Sequence, residues 1–272
     1  MKQAGDFLAE SEALYDVVAP LDEQALRWVT QFKGWRIEDV LVHLHFWNGA
    51  AALSATDPKA FKILMARALP AIEKNGFRAF EDAEVDARGA ALRTEWIEGA
   101  RALAAQFAKI DPKERLAWAG PSMSSRSSIT ARQMETWAHG FEVFDVLGLE
   151  RTQTDRLRNI VMLGVNTFGW SHQVHGLKVP DQMPLVHLTL PSGETFIQGQ
   201  RSAGRITGPA VDFAAVVTQT RAFADTELLI EGPVAQTWMA HAQCFAGGPV
   251  KPPAPGTRFK EDQWTKQSSL AL

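Results

Sequence analysis

The sequence predicts an α+β protein in which a helical bundle is followed by a small α/β domain. Up to about residue 175, apolar residues recur every three or four positions, which is typical of helices packed in a bundle. After Gly176 the apolar residues alternate and turn sequences follow at short intervals, which indicates strands. We therefore predict a helical bundle over residues 1–175, an α/β domain over 176–250 and a proline-rich tail over 251–272.

Prolines and glycines separate the predicted helices of the first region. Pro20 ends the first helix, Gly34 precedes the second, the Asn75-Gly76 pair closes the third, and Pro112 follows the fourth. A serine-rich stretch then leads into a central apolar helix, and one more helix follows it. The predicted helices are 7–18, 37–55, 58–76, 82–110, 127–148 and 153–170.

The predicted α/β domain begins with a hairpin. Residues 184–199 alternate between apolar and polar around a Pro-Ser-Gly turn, which is the pattern of two paired strands. Two further strands are each followed by a proline at the start of a helix. These strands are predicted at 204–208 and 227–232, and the helices at 210–220 and 233–245.

Length and composition exclude several classes of protein. The 272 residues carry a net charge of −3 and no basic block, so we expect neither a nucleic-acid partner nor a membrane partner. The single cysteine, Cys244, excludes an internal disulfide and a multi-cysteine zinc site. No apolar run reaches the roughly 20 residues of a membrane span, and the N-terminus has acidic residues where a signal peptide is apolar. We expect a cytoplasmic monomer or homodimer that acts on a small molecule.

The helix predicted over residues 127–148 carries the clearest chemistry. Four polar side chains on it are spaced by three, four and three residues, so they lie on one helical face: Arg132, Glu135, His139 and Glu142. Glu135 and His139 are one turn apart and can bind one divalent metal through a carboxylate oxygen and an imidazole nitrogen. The alternative is an ordinary contact between the two side chains, which is the commoner role of such a pair.

His43, on the helix predicted over residues 37–55, is the best candidate for a third ligand. This helix is strongly apolar, and Asp39 lies one turn before His43 on the same face. Trp35 and Trp47 lie eight residues before and four residues after His43. They could line the mouth of a pocket, although core packing is the preferred interpretation for both.

Two motifs resemble a known family. GWRIEDVLVHL has the Trp, Asp and His spacing of the first signature of the DinB-like, mycothiol-dependent maleylpyruvate isomerase superfamily. METWAHGFEVFD resembles the second signature, which supplies a Glu and a His four residues apart. The runs WAGPSMSSRSSITARQMETWAHG, GRITGPAVDFAAVVTQTR and WMAHAQCFAGGP are similar to a less characterised, metal-binding branch of that superfamily. The resemblance covers nearly the whole chain.

The resemblance implies a DinB-type four-helix bundle with a mononuclear metal site. His43, Glu135 and His139 would bind one divalent metal, with zinc as the first candidate and nickel as the alternative, and water would fill the remaining positions. The better-known relatives use a low-molecular-weight thiol, which binds at the metal as a thiolate and adds to the substrate. Neither motif contains a cysteine, which fits a thiol that comes from outside the protein.

Two features depart from the family pattern or have no match in it. The family often has Asp three residues after the ligand His, whereas this chain has Glu142 three residues after His139. Glu142 either accepts a hydrogen bond from a ligand imidazole or faces solvent, and solvent exposure is the preferred interpretation. Arg201, Arg205 and Arg221 are candidates for binding an anionic substrate or the thiol, with surface salt bridges as the preferred alternative. Maleylpyruvate isomerisation itself is therefore not carried over.

The sequence leads to one main functional hypothesis and two alternatives. The main hypothesis is a metal- and thiol-dependent transferase or isomerase that acts on a small organic acid or electrophile. The alternatives are a metal-assisted hydrolase with metal-bound water, and a non-catalytic module that binds a metal or a small ligand. An open coordination position would separate the two enzymes from a closed structural metal site.

Overall fold

The structure, a computed structural model, describes residues 1–261. Contacts between Cα atoms divide the chain into two compact units, one over Met1–Val146 and one from Leu147 onwards. Two helices that precede the sheet, Arg158–Asn166 and Phe168–Val174, belong to the second unit by these contacts, because they pack against its later helices. The domain boundary predicted from the sequence at residue 175 assigned these helices to the bundle, and that boundary stays a prediction.

The first unit is a bundle of helices. They are α1 (Lys2–Val18), α2 (Glu23–Leu26), α3 (Ile37–Thr56), α4 (Pro58–Glu84), α5 (Gly89–Lys109) and α6 (Ser125–Leu147). Helix α3 packs against α4 and α5, and α1 packs against α5. Large apolar side chains such as Phe7, Leu41 and Trp96 are fully buried between these helices.

Helix α4 contains the predicted stop and a further segment that was not predicted. Its backbone leaves helical geometry at Gly76, with φ 82° and ψ 163°, so α4 consists of two helical segments joined by a kink, and the second segment runs to Glu84. Glycine allows this bend because a Cβ atom disfavours positive φ. The helix predicted to start at residue 82 therefore begins only at Gly89, after an extended break. The segment after the bend buries Phe80 and Glu81.

A two-stranded hairpin, which the sequence analysis missed, leads into α6. Its strands are β1 (Arg115–Leu116) and β2 (Met123–Ser124), which pair antiparallel. The Ser124 hydroxyl then accepts a hydrogen bond from the backbone N–H of Ser127 at 3.1 Å, which caps the first turn of α6. The hairpin loop carries Trp118, and α6 itself lies within two residues of its predicted bounds at each end.

The second unit combines a four-stranded sheet with helices. Its helices are α7 (Arg158–Asn166), α8 (Phe168–Val174), α9 (Ala210–Val217) and α10 (Pro233–His241), and its strands are β3 (Pro184–Thr189), β4 (Thr195–Gln198), β5 (Gln200–Pro209) and β6 (Leu229–Glu231). The strand order is β4-β3-β5-β6, in which β3 and β5 are parallel and the other pairs are antiparallel. The predicted hairpin and both later strands are present, so the α+β class is confirmed.

One helix of the second unit differs from the prediction. The helix predicted over residues 153–170 is divided at Thr167 into α7 and α8. Helix α7 also approaches α9 closely at Gly164, where an added Cβ would lie 2.9 Å from Val217. Residues 251–261 of the predicted tail contain neither helix nor strand, and residues 262–272 lie outside the described part of the chain. Within residues 1–261, no helix combines the length and the apolar character needed to cross a bilayer.

Candidate metal centre

Three side chains predicted as metal ligands meet in the first unit. Helix α3 contributes His43, and one face of α6 contributes Glu135 and His139. One donor atom of each residue lies within 4.8 Å of the others. The Oε2 atom of Glu135 is 3.6 Å from Nε2 of His43 and 3.2 Å from Nε2 of His139. The structure thus brings together residues that are 92 positions apart in the sequence.

The donor set fits a divalent metal. In a tetrahedral site with bonds of about 2.1 Å, neighbouring donor atoms lie about 3.4 Å apart. The two distances from Glu135 Oε2 to the imidazole nitrogens fall on either side of that value. Two imidazoles and one carboxylate are a ligand set found in catalytic zinc sites, where a fourth position stays open. The side chain of Glu135 is 21% exposed, so solvent contacts the cluster at Glu135.

Glu81 orients His43, and the sequence analysis did not identify it. Its Oε1 atom lies 2.7 Å from Nδ1 of His43, and it also accepts a hydrogen bond from Nε1 of Trp47 at 2.7 Å. An ionised carboxylate only accepts hydrogen bonds, so it places the proton of a neutral His43 on Nδ1 and leaves the Nε2 lone pair free for a metal. Glu81 is fully buried, and its contact with His43 spans 38 residues, so local spacing in the sequence gave no signal for it.

The ionisation states favour coordination at two of the three ligands. Burial lowers the pKa of His139, which keeps its imidazole neutral. Burial raises the pKa of Glu135, but hydrogen bonds with His139 and His43 outweigh it and hold the pKa well below its usual range. Burial also lowers the pKa of His43, but the Glu81 and Glu135 carboxylates outweigh this and raise the pKa to about 9. A metal would therefore displace one proton, from His43.

Aromatic rings surround the two imidazoles. Trp35 stacks on His139 with ring centroids 5.6 Å apart and an interplanar angle of 8°, and Phe32 meets the same imidazole edge-on at 4.9 Å. Trp35 also lies 5.2 Å from His43. Trp35 and Trp47 are both buried, as the core-packing interpretation predicted, yet both contact the metal-ligand cluster or its partner Glu81.

Two other predicted residues have different surroundings from those expected. Asp39 accepts a hydrogen bond from the backbone N–H of Arg36 at 2.8 Å and pairs with Arg78 at 2.7 Å, so it closes the start of α3 and binds an arginine. Burial raises its pKa. Glu142 is 1% exposed, so the preferred expectation that it faces solvent is wrong. The spacing of Glu142 alone did not reveal which neighbours would cover that part of α6.

The three arginines proposed for ligand binding lie in the second unit. Arg201 and Arg205, both on β5, lie 3.8 and 3.9 Å from carboxylate oxygens of Glu231 on β6. Arg221 donates to the backbone carbonyl of Thr220 at 2.9 Å. The contacts of Arg201 and Arg205 with Glu231 are salt bridges, which was the preferred alternative. A role in ligand binding stays a prediction for all three arginines.

Comparisons with known proteins identify the family. Residues 7–144 match the family described as the mycothiol maleylpyruvate isomerase N-terminal domain. Two uncharacterised proteins, one from each of two Mycobacterium tuberculosis strains, are 41% identical to this chain over 251 residues, which is 90% of this chain and 95% of theirs. Crystal structures of the mycothiol-dependent maleylpyruvate isomerase and of a mutant of it are 14% and 15% identical, with a TM-score of 0.49 over 79% of this chain and 87% of theirs. The family match over residues 7–144 confirms the resemblance seen in the two motifs, and the chain belongs to the mycothiol maleylpyruvate isomerase N-terminal domain family.

Proposed function

We propose that this protein is a metal-dependent enzyme that uses a low-molecular-weight thiol in a transferase or isomerase reaction on a small organic acid or electrophile. The observation that carries the proposal is the meeting of two imidazoles and one carboxylate within 4.8 Å in the first unit. Membership of a family described by a mycothiol-dependent activity supports the choice of a thiol. Such thiols are kept reduced in the cytoplasm, where we expect the protein to act.

The metal would be held by His43, Glu135 and His139. Zinc is the first candidate, because it favours nitrogen and oxygen donors in this number, and nickel is the alternative. When bound, the ion would supply Lewis-acid chemistry and lower the pKa of a thiol or a water molecule that reaches it. The chain has one cysteine, Cys244, whose side chain is buried, and neither signature motif contains one, so the thiol is proposed to be an external cosubstrate.

The surrounding residues prepare these ligands. Glu81 accepts a hydrogen bond from the Nδ1–H group of His43, which holds the ring in one orientation without help from the metal. Trp35 stacks on His139 and limits the rotation of that imidazole. Because both histidines are more than nine-tenths buried, charges in the cluster interact more strongly than they would in water.

The experiment that tests the proposal begins with metal content. Elemental analysis of the purified protein is expected to give about one equivalent of metal, which is lost in His43→Ala. His45→Ala is the matched control, because His45 lies on the same helix and outside the cluster. The metal-loaded protein is then assayed with small electrophiles in the presence and absence of added thiol.

The outcomes separate the three hypotheses. Turnover that requires both metal and thiol supports the proposal. Turnover without thiol indicates metal-assisted hydrolysis. A wild-type protein that binds no metal even after reconstitution refutes the proposal and leaves the Glu135–His139 pair as a structural contact in a binding module.

A further inference from the structure

Arg132 is a buried cation beside the proposed metal ligands. It lies on α6 three residues before Glu135, and its side chain is 4% exposed. Its Nη2 atom is 3.6 Å from Oε1 of Glu135, which is longer than a hydrogen bond. Its guanidinium lies 5.7 Å from the centre of the Trp118 ring, on the loop between β1 and β2.

The guanidinium of Arg132 has unused hydrogen-bond donors. Within the described residues, its Nε and Nη1 atoms are buried and have no hydrogen-bond partner. A guanidinium stays charged and only donates, so leaving these groups unsatisfied costs free energy. Burial accordingly lowers the pKa of Arg132. A buried cation with unpaired N–H donors is the arrangement expected at an oxyanion site before the anion binds, because each unsatisfied buried group requires a partner.

The balance of charge also favours an anion. With a divalent metal held by two neutral imidazoles, the charges in direct contact with the three ligands, or serving as ligands, would be the ion, the Arg132 guanidinium and the carboxylates of Glu81 and Glu135. These leave one positive charge unbalanced before any cosubstrate arrives. A small anion that enters this low-dielectric site is therefore attracted to it.

The position of Glu135 links the two positive centres. Its Oε2 atom faces the imidazole nitrogens of His43 and His139, and its Oε1 atom faces Arg132. A group bound by Arg132 would thus lie on the other side of one carboxylate from the metal.

We infer that Arg132 binds the carboxylate of the substrate, and that the enzyme therefore selects small organic acids over uncharged electrophiles. Guanidinium groups suit carboxylates because their planar N–H donors match the carboxylate oxygens. The inference deepens the proposed function and rests on it for the identity of the reacting centre. Carboxylate binding by Arg132 can be measured without turnover.

The test is calorimetric titration of the zinc-loaded and metal-free protein with succinate and with succinamide, its uncharged analogue. Wild type is expected to prefer succinate. Arg132→Met should weaken succinate binding by about tenfold or more, the effect of losing hydrogen bonds to a charged group, and leave zinc content unchanged. Arg126→Met is the matched control, because Arg126 is exposed near the start of the same helix.

Each result decides the inference. Equal affinity of Arg132→Met and wild type for succinate overturns it, and unchanged zinc content in that case leaves the proposed function standing. If wild type binds no zinc, the proposed function fails, and the metal-free titration decides: succinate binding that is lost in Arg132→Met upholds the inference. If Arg132→Met does not fold, the titrations of wild type decide. Equal affinity of wild type for succinate and succinamide, or no binding of either, then overturns the inference.

Discussion

Glu81 offers the sharpest test of the metal centre, because Glu81→Gln keeps the shape of the side chain and removes its charge. The carboxylate accepts two hydrogen bonds at 2.7 Å, from Trp47 and from Nδ1 of His43. Hydrogen bonds to a charged group contribute about 1.5–3 kcal/mol, roughly twice the value for neutral pairs. Losing the charge should therefore lower the free energy of unfolding of the metal-free protein by about 1 kcal/mol for each bond, or about 2 kcal/mol together.

The same substitution should weaken metal binding. A carboxylate that hydrogen-bonds to a ligand imidazole raises its basicity and fixes its orientation, and removing such a partner usually lowers metal affinity by about 10- to 100-fold. Zinc affinity measured by competition with a chromophoric chelator gives this ratio directly. Glu84→Gln is the matched control, because Glu84 ends the same helix and pairs with Arg67 outside the cluster. Equal zinc affinity of Glu81→Gln and wild type would refute the proposed role of Glu81.

Two further predictions concern the metal-free protein and the bend in α4. The pKa of His43 is raised from 6.5 to about 9 in the folded state, so its contribution of about 3 kcal/mol is fully present below pH 6.5 and is lost as the pH rises through 9. Urea denaturation across that range should show the decline, and a flat profile would contradict it. Gly76→Ala places a Cβ at φ 82° and should destabilise the protein by about 1–3 kcal/mol and weaken zinc binding, because the bend positions Glu81. Gly99→Ala, inside α5 with free space around it, should have little effect in the same thermal and chelator measurements.

The sequence alone predicted the parts of the site that depend on local spacing. Glu135 and His139 share a face because α6 is helical, and that follows from a regular pattern of apolar residues. His43 was identified because it lies on a strongly apolar helix one turn after Asp39, and the family motif gave it the same role. The alternating segments of the second unit predicted its strands, since a strand buries every second residue.

Tertiary structure decided which group binds His43 and which charges stay unpaired. Asp39 is one turn from His43 in the sequence, but the hydrogen-bond partner of His43 is Glu81, 38 residues away. That contact depends on the kink at Gly76, where the first helical segment stops as the sequence predicted and a second segment follows that buries Phe80 and Glu81. The unused donors of Arg132 likewise appear only once neighbouring elements exclude water from them. Helical spacing determines which side chains of one helix point the same way, whereas burial depends on the elements that pack against it.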